Sequence, residues 1–244
     1  MTPDAGTAQA PLAILAATPM ELRAMVARTD AQPQASDWPR TWTGHHRRRA
    51  LVLVEGGVGS AAAAAAAALT NQRHRPSALL LLGIGGAYAG SFVPVGAAAC
   101  AAWEFALDAG VVASEGTRSL AEIPLALASS AGGDPLYDRI PTDPGWQAAL
   151  ARACRMAPQG FATSDGISGD LDVAGARAQR SGAAVESMEG AAVALVCARM
   201  GLPFGEVRGI SNVAGVRDHA SWDAEGAVRA ATYALLDALA AEPA

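Results

Sequence analysis

Short apolar runs bounded by glycine and proline alternate with longer helix-like stretches along most of this chain. Residues 12–17 (LAILAA) read as a buried first strand, and Pro19-Met20-Glu21 opens a helix. Proline is tolerated in the first turn, and an acid there is favoured by the helix dipole. Residues 31–49 are polar and predict a loop with one short strand or hairpin. Residues 50–55 form the next strand, followed by Gly56-Gly57-Val58-Gly59 and a helix from Ser60 through an alanine run, alanine being the best helix former. A strand over 78–82 ends at Gly83-Ile84-Gly85-Gly86, and 97–103 continues as another strand. Residues 114–145 read as an irregular surface insertion around a short apolar stretch. The pattern then predicts a helix over 147–156 and a strand end at 161–163 turning through Ser164-Asp165-Gly166. A buried helix over 189–200, a strand over 204–210 and a closing helix over 221–241 follow. Such alternation predicts an α/β fold: one domain over 11–244, a central mixed, mainly parallel twisted sheet flanked by helices, and a disordered tail over 1–10.

Composition narrows the function. The chain has 244 residues, 51% hydrophobic and 17% charged, which suits a globular protein with a sizeable core. A net charge of -5 argues against a nucleic-acid or anionic-membrane surface. The basic cluster His45-His46-Arg47-Arg48-Arg49 reads as a solvated turn before the next strand. Residues 76–103 carry no charge, but five glycines and Pro94 interrupt them, so two buried strands are expected rather than a membrane span. Three scattered cysteines and no CxxC or HExxH spacing point to neither a disulfide framework nor a metal site. No signal peptide is expected, and a cytoplasmic setting fits.

The polar residues that break the apolar pattern suggest chemistry. Arg208 interrupts an apolar strand, where a charge is either paired or functional, and Ser211 and Asn212 follow at that strand's end. Glu189 begins a run of small apolar residues, so its carboxylate needs a partner. Glu186 is expected to be more exposed and structural. Strand ends in open α/β sheets are where ligands bind. Gly83-Ile84-Gly85-Gly86 is either a plain turn or a place where backbone approaches a ligand. Gly56 to Gly59 is half a dinucleotide fingerprint, in the wrong place for a nicotinamide cofactor.

Residues 12–21, 52–60, 82–86, 185–192 and 203–212 stand in the order and spacing of the purine nucleoside phosphorylase/hydrolase superfamily. The patterns VESMEG (185–190) and PFGEVRGISN (203–212) carry the resemblance. The chain resembles nucleosidases that cleave methylthioadenosine and S-adenosylhomocysteine and, more closely, the futalosine hydrolases; residues 114–145 match poorly. The resemblance implies an N-glycosidase with no cofactor, acting on a small nucleoside, and a homo-oligomer, most simply a dimer. It implies that Glu21 holds and activates the attacking water and Arg208 helps order it. Met188 would pack on the ribose, and Glu189 would accept from its hydroxyls. Gly83, Ile84 and Gly85 would flank sugar and water, and Ile167 and Ser168 would contact the base.

Asn212 stands where the adenine nucleosidases have an aspartate. A 6-oxopurine presents O6, an acceptor only, beside N7. An amide offers a donor to O6 and an acceptor for a proton arriving at N7. Asn212 therefore points to hypoxanthine as the leaving base, as in futalosine on the way to menaquinone, and equally suits an inosine or guanosine phosphorylase. Asp218 is a second candidate for proton delivery; its plainer reading is an ion pair with Arg217. Trp222 is a candidate lining of an apolar 5′ pocket or plain core. Three alternatives stay open: an adenine nucleosidase, a 6-oxopurine phosphorylase, and a catalytically silent nucleoside-binding protein.

Overall fold

The protein is described from a computed structural model covering residues 9–241 except 36 and 115. The proposed tail over 1–10 therefore lies mostly outside the described residues. In chain order the elements are β1 (Leu12–Ala16), α1 (Pro19–Arg28), β2 (Gln32–Pro33), β3 (Arg40–His46), β4 (Arg49–Glu55), α2 (Ser60–His74), β5 (Ala78–Ala87) and β6 (Ala98–Ala106). Small strands follow: β7 (Val111–Ala113), β8 (Gly116–Arg118), β9 (Ala128–Ser129), β10 (Pro135–Leu136) and β11 (Arg139–Pro141). The last part contains α3 (Pro144–Cys154), β12 (Gln159–Thr163), α4 (Leu171–Ser181), β13 (Val185–Ser187), α5 (Gly190–Met200), β14 (Phe204–Val213) and α6 (Ala224–Ala241).

The main sheet is mixed. β1, β4, β5 and β14 run parallel, as do β6, β12 and β13 among themselves. The two groups meet antiparallel where β13 pairs β5 and where β14 pairs β6. Thus β5, β13, β12, β6 and β14 close into a ring, and the sheet extends from it through β1, β4, β3 and β2. Every residue of β1 is buried, which requires both faces to be covered. Leu12 and Ile14 pack with Leu22 and Met25 of α1, Leu150 of α3 and Leu235 of α6. Ala13 and Leu15 point the other way, into Ala63, Ala66 and Ala67 of α2 and Val193 of α5. Alternate residues of a strand face opposite sides, so one apolar run serves two helical layers.

Several expectations need correction. The hairpin expected within 31–49 is present but more extended than a loop with a short strand: β3 pairs β4 along its whole length, turning at Arg47-Arg48, and β2 pairs β3. Gly83 to Gly86 do not turn: β5 runs through them to Ala87. These glycines clear space for neighbouring side chains. α4 and β13 were not expected, α3 begins at Pro144 rather than 147, and a short 3-10 turn (His219–Ser221) precedes α6. Ser211 and Asn212 lie inside β14, at an irregularity between Ile210 and Asn212, rather than after it. Among the described residues no helix is long and apolar enough to cross a membrane.

Candidate active site

One cavity, of about 220 Å³, opens at the carboxyl ends of β1, β5 and β14. Its wall includes Glu21, Ile84, Gly85, Ile167, Ser168, Met188, Glu189, Arg208, Ser211 and Asn212. Two expected residues are not in the wall. Gly83 is buried in β5 between Arg208 and Glu21, which do line the cavity. Asp218 is exposed, and its carboxylate accepts from the Ala220 amide of the 3-10 turn, so it sits apart from the cavity. Its expected partner Arg217 does line the cavity, with its guanidinium 4.9 Å above the Trp222 ring.

Glu21 is held by its own helix. Thr18 caps α1: its hydroxyl accepts from the Glu21 amide, while its amide (3.0 Å) and hydroxyl (2.7 Å) donate to Glu21 Oε2. This reciprocal arrangement is a capping box. Glu21 Oε1 accepts from the Ile84 amide at 3.0 Å, which leaves that oxygen one further accepting position. Burial raises the Glu21 carboxyl above its ordinary range, and the Arg208 guanidinium beside it opposes the rise without cancelling it.

Arg208 is almost wholly buried, in the middle of β14. Its Nε donates to Glu206 Oε1 at 2.7 Å; its Nη1 donates to Glu189 Oε2 at 3.0 Å and to the Ile84 carbonyl at 3.2 Å. Burial works against its charge, but Glu206, Glu189 and Glu21 together hold it more firmly protonated than a free arginine. Glu189, just before α5, also accepts from the Gly59 amide at 3.1 Å through Oε1. The expected partner of Glu189 is thus Arg208, and each of its oxygens keeps one accepting position.

The far wall is built around Glu186, which is buried and lines the cavity, contrary to the expected exposure. It accepts from the Ser168 amide (2.8 Å) and hydroxyl (2.6 Å), the Tyr88 hydroxyl (3.1 Å) and Arg177 (3.0 Å). Those donors come from β5's exit, the loop after β12 and α4. Asn212 is fixed within β14: Oδ1 accepts from the Ser211 hydroxyl at 2.8 Å, and Nδ2 donates to the Val213 carbonyl at 2.9 Å. One N–H and one acceptor position remain for a ligand. Trp222 is a rim residue, half-buried, stacked on His219 with ring centroids 4.5 Å apart.

Behind the cavity lie two carboxylates that the pattern of apolar residues passed over, Glu104 and Glu206. The signal for Glu206 was available. It stands two residues before Arg208 in a strand, and such positions share a face.

The phosphorylase superfamily profile matches residues 11–240. The futalosine hydrolase of Thermus thermophilus is 38% identical over 67% of this chain and 69% of its own length. An S-adenosylhomocysteine nucleosidase from Streptococcus pyogenes, solved with 5-methylthiotubericidin, superposes with TM-score 0.83 at 23% identity, over 98% of this chain and 100% of its own. The native futalosine hydrolase of Helicobacter pylori strain 26695 superposes with TM-score 0.79 at 16% identity, over 96% and 98%. Those two structural likenesses show the shared fold. With the profile spanning nearly all of the sequence and the Thermus relative covering two thirds of it, the chain belongs to the phosphorylase superfamily, in the family of the futalosine hydrolases.

Proposed function

We propose that this protein hydrolyses the N-glycosidic bond of futalosine with water as the nucleophile. Glycosidic cleavage builds positive charge on the sugar and negative charge on the leaving base. The observation that carries the reading is Glu21: a buried carboxylate that lines the cavity, is raised above its ordinary range, and keeps an accepting position free on Oε1. That is what a base for water requires near neutral pH. Arg208 lines the cavity beside Glu21, and its guanidinium helps order the water. The open positions on Glu189 suit the ribose hydroxyls, and its charge stabilises the developing cation. Met188 packs against the sugar. The amide of Asn212 takes the 6-oxopurine edge, and Ile167 and Ser168 flank the base. Hypoxanthine as product, a place in menaquinone biosynthesis, a cytoplasmic setting and a homodimer belong to the same proposal.

A phosphorylase would need a compact set of donors for phosphate. Arg23 is exposed on α1, and the arginines lining the cavity are Arg208, committed to two carboxylates, and Arg217 at the rim. This supports water over phosphate. The test is release of hypoxanthine from futalosine in phosphate-free buffer, with Glu21→Gln beside the wild type. The wild type turns over without phosphate, and Glu21→Gln binds substrate but is slower by ~10²–10⁴-fold, the range for loss of a general base. Strict dependence on phosphate contradicts hydrolysis. A wild type that binds futalosine without turnover supports the silent binding protein.

A further inference from the structure

Glu104 of β6 and Glu206 of β14 are both fully buried, with 0% exposure. Glu104 Oε1 and Glu206 Oε2 have no hydrogen-bond donor among the described residues. Both lie within 2.6 Å of where a Cβ on Gly190 would sit, so they converge on the one spot that this glycine keeps clear. The other oxygen of each is committed. Glu206 Oε1 accepts from Arg208 Nε at 2.7 Å. Glu104 Oε2 accepts from the Thr163 hydroxyl at 2.6 Å, and that hydroxyl in turn accepts from the Ala191 amide at 2.8 Å. Thr163 has a single hydroxyl proton, already given to Oε2, so it cannot also serve Oε1.

We propose that Glu104 and Glu206 share one proton, and that the pair positions Arg208 and draws on its charge so that Glu21 stays basic enough to activate water. The second half rests on the proposed function. Two ionised carboxylates facing each other in a dry interior repel strongly, and two neutral ones would deprive Arg208 Nε of its charged partner and leave the guanidinium to Glu189. One proton resolves both problems. It resides on Glu104, because Glu206 is the member that meets the guanidinium. Burial and the neighbouring Glu206 push the Glu104 carboxyl well above the carboxylate range, in keeping with this assignment. The ionisable groups facing the pair are Arg208 and, beyond Glu104, Tyr88, which donates to Glu186. Those facing Glu21 are Arg208 and Glu189. Arg208 depresses Glu21, and each carboxylate that shares Arg208 weakens that depression. Glu206 is therefore a positioning residue that acts through Arg208 without touching substrate.

The test uses the whole protein and two readouts. The first is the infrared band of a buried protonated carboxyl, taken at the pH of maximal turnover, where Glu21 is ionised. The wild type keeps such a band and Glu104→Gln loses it. The second is the acid limb of kcat/KM. In Glu104→Gln the amide donates to Glu206 as the neutral acid did, so the limb stays at the wild-type pH. In Glu104→Gln/Glu206→Gln that charge is gone, Arg208 is left with Glu189 as its carboxylate partner and acts more strongly on Glu21, and the limb moves down by about one pH unit with a fall in kcat, the scale of a neighbouring charge. The single variant Glu206→Gln lies between, since Glu104 can then ionise. Absence of the band from the wild type overturns the shared proton, a measurement that needs no variant to fold. A double variant with the wild-type limb overturns the tuning of Glu21. A wild type that shows the band yet hydrolyses no nucleoside contradicts the proposed function and leaves the proton pair standing.

Discussion

Gly83 decides whether Glu21 and Arg208 can stand on the same side of the cavity. A Cβ at this position would lie 2.4 Å from Arg208 Nη1 and 2.9 Å from Glu21 Oε1. Gly83→Ala must therefore push the guanidinium or the carboxylate aside. A displacement of about 1 Å at a catalytic group costs ~10²-fold in rate, so kcat should fall by that order while circular dichroism stays native. Unchanged kcat would show that the two groups need no such close approach. Arg208 and Glu189 were legible in the sequence because a charge in an apolar run advertises its need for a partner. Glu186 was misjudged because its burial is tertiary: Ser168, Tyr88 and Arg177 reach it from separate segments. Asp218, the second candidate for proton delivery, lies outside the cavity wall, and its carboxylate accepts from the Ala220 amide of a local turn.

At the scale of elements, α1 does more than cover the sheet. Its capping box sets the rotation of Glu21, so the start of a helix and the aim of a carboxylate are one structural fact. Thr18→Ala removes the cap and one donor to Oε2. Stability should drop by ~1 kcal/mol, as for other lost N-caps. A donor to the ionised form lowers a carboxyl's pKa, so its loss raises Glu21 further. The acid limb of kcat/KM should then move to higher pH, opposite to the double glutamine variant; thermal unfolding and a pH series check both. The opening of α1 was readable from Pro19 and Glu21. α4 was not, because few apolar residues mark it: Leu171 and Val173 are exposed, and Ala174 is its buried anchor. The glycines of β5 misled in another way. Glycine signals a turn when φ is positive, and here it signals crowding by Arg208, Glu21 and Val185.

The whole molecule places these parts by closing β14 against both β5 and β6. That closure brings Glu206 to Glu104 and Arg208 to Glu21 and Glu189, residues spread over most of the chain. Alternating strands and helices made the α/β class legible, but strand partners are long-range choices that no local pattern records. On the proposed function, the cavity sorts substrates by the polar edge that Asn212 offers. Hydrogen-bonding sites discriminate strongly, since a mismatched base leaves buried groups unpaired. The most direct test compares futalosine, aminofutalosine, methylthioadenosine and inosine by kcat/KM in phosphate-free buffer, for the wild type and Asn212→Asp. The wild type should prefer futalosine over the 6-amino substrates aminofutalosine and methylthioadenosine by about tenfold or more, while inosine, with the same base edge, reports on the 5′ substituent alone, and Asn212→Asp should shift preference toward the 6-amino substrates. A wild type whose best substrate is methylthioadenosine would contradict the account of Asn212 and put this protein among the adenine nucleosidases.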